Sequence, residues 1–197
     1  MSIKKKLDRN FFGRDTLIVA KDLIGKYLVR NINGKIIVGK IIETEAYCGP
    51  NDLACHASRG RTPRTEIMFG QAGRAYIYLI YGMYHCLNIV TEKEDYPAAV
   101  LIRGIEVESI KYQVLGIKKK SKIPNIKYLI PNTKIDGPGK LCRELKIDKR
   151  LNGEDLIISR KLWLEDRGER VRNVKKTKRI GVEYAKEYKD KLWRFTL

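Results

Sequence analysis

Tyr27-Leu28-Val29-Arg30-Asn31-Ile32-Asn33-Gly34-Lys35-Ile36-Ile37-Val38-Gly39-Lys40-Ile41-Ile42-Glu43-Thr44-Glu45-Ala46-Tyr47 is the stretch on which the fold turns. It reads as two strands, Tyr27 to Asn31 and Lys35 to Tyr47, joined across Asn33-Gly34. That dipeptide suits the tight turn of a β-hairpin, because both positions tolerate positive φ. Alternate side chains of a strand share a face. The second strand is therefore expected to set Ile41, Glu43, Glu45 and Tyr47 on one side and Ile42, Thr44 and Ala46 on the other. Two carboxylates and a phenol then fall together just before the chain turns at Cys48-Gly49-Pro50.

Upstream, Asp15 to Leu28 carries apolar residues at Leu17, Ile18, Ala20, Leu23, Ile24 and Leu28, a helical stripe with Asp15 as N-cap and Gly25 as a break near its end. Downstream, Gly49 to Gly73 is rich in Gly, Pro and Arg and reads as a loop with short helical turns. Tyr76 to Tyr81 and Tyr84 to Val90 read as strands meeting at Gly82-Met83, and Ala98 to Ile105 as another. Lys111 to Lys127 holds six lysines and no acid, a basic insertion. Gly137-Pro138-Gly139-Lys140 opens a helix over Lys140 to Leu145, as a phosphate site or as ordinary turn chemistry, Ser159 to Glu165 alternates as a late strand, and Arg170 to Arg179 reads as a solvated basic loop or a second phosphate contact. Strands and helices without regular βαβ alternation imply a mixed α+β fold, expected as a single domain over residues 1–197.

Lys and Arg number 41 against 23 Asp and Glu, a net charge of +18. Such an excess favours a polyanionic partner, and charge alone does not separate DNA from RNA. The start Met1-Ser2-Ile3-Lys4-Lys5-Lys6-Leu7-Asp8 has no apolar run after it, so it is not a secretory signal. The run Ala75 to Val90, free of Asp, Glu, Lys and Arg, is 16 residues long and contains Gly82 and His85. It falls short of the roughly 20 apolar residues of a membrane span. A cytoplasmic protein, nucleoid-associated if bacterial, is expected. Cys48, Cys55, Cys86 and Cys142 form no Cys-x-x-Cys pair and read as reduced, packed thiols. Neighbouring Cys and His in a strand face opposite ways, which argues against a zinc site.

A carboxylate near water is what a general base needs, and aromatic faces are what an extruded nucleobase stacks on. Tyr76 and Tyr78 share a strand face, whereas Tyr81 and Tyr84 bracket the turn. An uncharged aromatic tip suits a hairpin that wedges into a duplex. The alternative is a hairpin buried in the core. Other chemistries lack their residues: there is no His-x-Glu with Pro-Cys-x-x-Cys, no Walker A, no Gly-x-Ser-x-Gly and no Gly-x-Gly-x-x-Gly.

Glu-Thr-Glu-Ala-Tyr-x-Gly-Pro at 43 to 50, Asp52 to His56, Arg61-Thr62-Pro63-Arg64, Met68-Phe69, Tyr78-x-x-Tyr81-Gly82-Met83-Tyr84-x-Cys86-x-Asn88, Val100-Leu101-Ile102-Arg103 and Gly137-Pro138-x-Lys140-Leu141-Cys142 together resemble the alkyladenine (3-methyladenine) DNA glycosylase family. Arg179-Ile180-Gly181-Val182 and Trp193-Arg194-Phe195 continue the resemblance, which spans roughly residues 10 to 197 in order.

The resemblance implies a curved antiparallel sheet with flanking helices and a protruding hairpin. It implies an enzyme that flips damaged purines from duplex DNA and hydrolyses the N-glycosidic bond with water, leaving an abasic site and an uncut strand. By resemblance, Glu45 is the general base, Tyr47, His56 and Tyr78 wall the base pocket, and Asn88 disfavours guanine through its exocyclic amine. Tyr81 enters the minor groove, and Met83 and Tyr84 touch groove or backbone. Arg103 contacts the flipped nucleotide's backbone, and Arg61, Arg64 and Lys140 are phosphate candidates. No cofactor or metal is implied, and a monomer is expected because one face approaches DNA. Glu43 is expected to raise the Glu45 pKa by like-charge repulsion. The competing reading is a non-catalytic module that binds damaged DNA on the same scaffold.

Overall fold

The computed structural model describes residues 4–112 and 131–197. The basic insertion expected at Lys111 to Lys127 lies, beyond its first two residues, outside the described residues. The strands are β1 (Lys5–Lys6), β2 (Tyr27–Ile32), β3 (Lys35–Tyr47), β4 (Ala75–Ile80), β5 (Tyr84–Val90), β6 (Ala99–Tyr112), β7 (Lys134–Asp136), β8 (Leu162–Asp166), β9 (Lys175–Thr177) and β10 (Arg194–Thr196). The described α-helices are short: α1 (Arg9–Phe12), α2 (Thr16–Asp22) and α3 (Pro138–Glu144). All described strand pairs are antiparallel, in the order β1-β8-β2-β3-β6-β5-β4. β7 adds to β6, and β10 adds to the second half of β3 and carries β9. The α+β expectation holds, with a curled sheet as its frame.

The hairpin at Asn33-Gly34 forms as read, with φ of 50° and 85° at the two turn residues. The helix expected over Asp15 to Leu28 stops at Asp22. Asp15 caps it by accepting the Ile18 amide at 3.0 Å. Gly25 then turns the chain at φ +83°, and its amide donates to the Ile41 carbonyl at 2.8 Å, so Leu28 belongs to β2. A Cβ at Gly25 would stand 2.1 Å from Val171 Cγ2, so space as well as φ requires glycine there.

β3 departs from simple alternation. Ile41 pairs with Ile105, Glu43 with Gly104 and Thr44 with Ile102, so Ile42 and then Arg103 are extra residues in their strands. Each bulge shifts the side-chain parity. Ile41 consequently does not share a face with Glu43 and Glu45 as expected: it joins Ala46 in the main core cluster. α2 lies against this side of β3 and β6, and the Thr44 hydroxyl donates to the Ala20 carbonyl at 2.8 Å.

The other expected elements recur with corrections at their ends, the strand expected over Ala98 to Ile105 running on to Tyr112 as β6, whereas α1, β1, β7, β9 and β10 have no counterpart among the expected elements. Single helical turns occupy His56–Arg59 and Glu66–Phe69 within the Gly49 to Gly73 loop. Tyr81 is not the end of a strand but the first turn residue, at φ +52°, followed by Gly82 at +70°. α3 begins at Pro138, earlier than Lys140, because Pro supplies a ready helical φ at the first position and loses no needed donor. The late strand begins at Leu162. Arg170 to Arg179 is not only a solvated loop: it contains β9 and ends on a buried arginine. Among the described residues, no helix is long and apolar enough to cross a membrane.

Candidate active site

The two bulges bring three ionisable side chains together on one side of β3. Arg103 donates from Nε to Glu43 Oε1 at 2.8 Å and from Nη1 to Glu45 Oε2 at 3.4 Å. Arg194 on β10 donates to the same Glu43 oxygen at 2.6 Å. Glu45 is wholly buried. Its Oε1 accepts the backbone amide of Ile180 at 2.8 Å, and its Oε2 accepts the Tyr47 hydroxyl at 3.0 Å. Burial raises the Glu45 pKa above its ordinary 4.5 against the opposing pull of Arg103, the Ile180 amide and the Tyr47 hydroxyl. Glu43 adds the smallest push, so the expected like-charge repulsion is not the main cause. The Arg103 guanidinium lies on both carboxylates and offsets it. Burial disfavours the Arg103 charge, yet these carboxylates hold its pKa above the ordinary arginine value.

Beside this cluster opens a cavity of about 370 Å³, lined among others by Tyr47, His56, Tyr76, Tyr78, Asn88 and Arg103. Glu45 itself sits behind the wall, reached through Tyr47, Arg103 and Ile180. The His56 ring stands 4.5 Å from that of Tyr78, at 77° to it, and His56 Nδ1 hydrogen-bonds the Tyr76 hydroxyl at 2.9 Å. Burial, then Arg64 and Arg59, press the His56 pKa down to about 4, which leaves the imidazole neutral at neutral pH. Burial lifts Tyr76 to about 12 and raises Tyr47 and Tyr78 as well, so the walls are uncharged phenols. Asn88 is buried, and its Nδ2 donates to the Tyr76 carbonyl at 3.1 Å and more weakly to that of Cys86 at 3.4 Å. Its amide is thus fixed in one orientation at the cavity surface.

The hairpin of β4 and β5 carries this cavity to the molecular surface. Tyr81 is 82% exposed, Met83 66% and Tyr84 42%, an apolar tip with no core to cover it. The core-hairpin alternative is therefore excluded for the tip, although Tyr76 at the base is buried.

The phosphate candidates divide. Arg64 does not stand free over the surface: its guanidinium covers the Tyr78 ring at 5.1 Å and lines the cavity. Arg61 lies over Phe69 and pairs with Asp95 at 3.0 Å and Glu66 at 3.3 Å, all exposed. Lys140 pairs with Asp136 at 3.0 Å, again in solvent. Exposed pairs of this kind contribute little to stability. The four cysteines are free, and no group of three or more His, Cys, Asp or Glu arranged to hold a metal occurs among the described residues.

The family model for methylpurine-DNA glycosylase matches residues 10–197. The chain belongs to the methylpurine-DNA glycosylase family. Relatives named "Putative 3-methyladenine DNA glycosylase" include one from Natranaerobius thermophilus, 46% identical over 192 residues that cover 96% of this chain and 94% of the relative. Another, from Methanocella arvoryzae, is 48% identical over 192 residues, covering 96% and 90%. A third, from Clostridium perfringens, is 46% identical over 194 residues, covering 96% and 94%.

In this family member the site rests on residues that sequence reasoning passed over. Arg179, read as part of a solvated loop, is buried. Its Nη1 and Nη2 meet the Asp52 carboxylate at 2.5 and 2.8 Å, and Nη1 also donates to the Ala46 carbonyl at 2.9 Å. The guanidinium packs 4.9 Å from both the Tyr47 and Trp193 rings. It thereby fixes the wall residue Tyr47 and presents the next amide, that of Ile180, to Glu45. The only signal in the sequence was its place in the motif Arg179-Ile180-Gly181-Val182. Arg194 on Glu43 and Tyr76 on His56 were likewise invisible until β10 and β4 were placed.

Proposed function

We propose that this chain is a monofunctional purine-DNA glycosylase, with residues 1–197 as one glycosylase domain, that flips alkylated or deaminated purines of the 3-methyladenine type out of duplex DNA and hydrolyses the N-glycosidic bond. One observation carries the reading: a buried glutamate of raised pKa, Glu45, backs an aromatic cavity beside an exposed tyrosine-tipped hairpin. The continuous sheet supports one domain, since β1 and β10 belong to it.

In the proposed reaction Tyr81 fills the gap left by the flipped nucleotide, repaying part of the few kcal/mol that unstacking costs. The base enters between Tyr47, His56 and Tyr78. A cationic alkylated purine is attracted to the phenol faces and meets a neutral rather than a charged imidazole. Asn88, its amide held by two carbonyls, is the group that would clash with the exocyclic amine of guanine. Water is taken up at Glu45 Oε2, where the bond from Arg103 is long at 3.4 Å. As the C1′–N bond breaks, the purine keeps the electron pair. Water oxygen bonds to C1′ and its proton passes to Glu45, whose negative charge also offsets the positive charge developing on the sugar. An alkylated cation leaves as a neutral purine, so a single carboxylate suffices. Arg103 positions the carboxylate and reaches the flipped nucleotide's backbone. Arg61, Arg64 and Lys140 take phosphates, and Met83 and Tyr84 meet the groove. A monomer acts, because the cavity and the hairpin lie on one face, and in a bacterial cell it works in the cytoplasm on the nucleoid.

Single-turnover release of free base from alkylated duplex DNA tests this, with the native protein compared with Glu45→Gln. Release by the native protein alone, leaving an alkali-sensitive but uncut strand, is the expected result. Equal release by both removes Glu45 from its role. No release by either on alkylated, deaminated or etheno-adduct DNA favours the non-catalytic damaged-DNA-binding module.

A further inference from the structure

The hairpin divides two clefts. Ile80 and Tyr81 line the base cavity, whereas Met83, Tyr84 and His85 line a second, separate cleft of about 320 Å³ on the other side. Its far wall is basic: Arg143, Lys146 and Arg150. Lys149 stands exposed within the same short segment. Two carboxylates oppose these four cations. Glu144 accepts Arg143 at 2.9 Å and Asp148 accepts Arg150 at 2.6 Å, with the arginines 64% and 80% exposed. The Arg143–Glu144 pair, between neighbours in the chain, leaves its guanidinium able to turn toward a stronger anion, whereas Arg150 forks on Asp148 through Nε at 3.0 Å and Nη2 at 2.6 Å, a pair that a phosphate joins rather than displaces. The cleft is also rigidly tied to the hairpin: a Cβ at Gly139 of α3 would stand 3.0 Å from Tyr84 Cβ, so Tyr84 rests directly on the helix.

We infer that this second cleft binds the sugar-phosphate backbone of the strand opposite the lesion. The inference rests on the proposed glycosylase reading. When the tip enters the groove, the lesion strand must lie on the side of the base cavity, since its nucleotide turns into it. The complementary backbone then passes on the other side, where Met83 and Tyr84 end and the basic wall begins. Held there, the complementary strand is prevented from closing the gap while Tyr81 occupies it. The base cavity alone leaves that strand without a contact.

The test measures binding of alkylated duplex as a function of salt for the native protein, for Arg143→Gln/Lys146→Gln/Arg150→Gln, and for a charge-matched control at exposed lysines that line neither cleft, Lys4→Gln/Lys5→Gln/Lys21→Gln. Each lost phosphate contact lowers the log–log salt slope by about 0.9. The cleft variant is expected to lose roughly two to three units of slope and ~10-fold or more in affinity near 0.1 M salt, and the control to lose much less. A second measurement needs no variant: neutral methylphosphonates opposite the lesion weaken native binding, and add little further loss to the cleft variant. The inference is overturned if the cleft variant keeps the native slope, or if methylphosphonates weaken native binding only when placed in the lesion strand. Native protein that shows the expected coupling but releases no base would instead sink the glycosylase reading and leave this contact standing.

Discussion

Arg179 and Asp52 form a two-bond pair, at 2.5 and 2.8 Å, in which neither side chain reaches solvent. Asp52 also accepts the amides of Cys48 and Ala54 at 3.1 Å, so one carboxylate ties the turn after β3 to the segment that presents Ile180 to Glu45. Breaking a buried pair leaves an uncompensated charge, which typically costs about 3–5 kcal/mol. Asp52→Asn is expected to lose stability on that scale by urea or thermal unfolding. A double change to Asp52→Asn with Arg179→Met should recover part of it, and additive losses would show that the two groups are not coupled.

Glu45→Gln keeps the side-chain volume and an acceptor, so the fold should persist. Base release is expected to fall by ~100-fold or more, the usual contribution of a general base. In the proposed reaction the carboxylate must be ionised to take the proton. Release should therefore rise with pH through a pKa above 4.5, set mainly by burial. Glu43→Gln should move that midpoint little, because Glu43 contributes least to it. A large shift of the pH profile in Glu43→Gln would contradict this assignment.

His56 gives an independent acid signature. Its folded pKa near 4 lies below the ordinary 6.5, so between these values the unfolded chain binds a proton that the folded chain refuses. Stability is then fully present above about pH 6.5 and is lost as pH falls toward 4, by roughly 1–2 kcal/mol at pH 5. Nuclear magnetic resonance titration should find one imidazole still neutral at pH 5. Unfolding of His56→Gln should show a shallower acid slope, and an unchanged slope would assign the loss to other groups.

Tyr81→Ala removes a ring that is 82% exposed, so stability should change by about 0.5 kcal/mol or less. Base extrusion should suffer instead, with weaker 2-aminopurine fluorescence beside the lesion and slower release at subsaturating protein. Loss of stability without loss of extrusion would place Tyr81 in the fold rather than at the DNA.

Much of this was legible in the chain. Asn33-Gly34 marked the hairpin because both residues tolerate the positive φ angles of a two-residue turn, and Asp15 marked the start of α2 by its capping carboxylate. The glycine-capped tyrosine tip was legible too, since exposed uncharged aromatics have no reason to sit at a turn unless they meet something. The alternation along β3 misled at Ile41. A bulge needs a partner strand, and neither Ile42 nor Arg103 carries a mark of being the extra residue.

The antiparallel hairpins and the excess of positive charge were written in the chain, because turns and strands depend on neighbouring residues and net charge on composition. How the candidate groups behave followed from packing alone. Glu45 owes its raised pKa to burial, Arg103 reaches both glutamates because β6 bulges against β3, and Arg179 is a buried anchor because Asp52, 127 residues away, is buried opposite it. Desolvation and pairing across such distances follow from packing, and no local pattern records them.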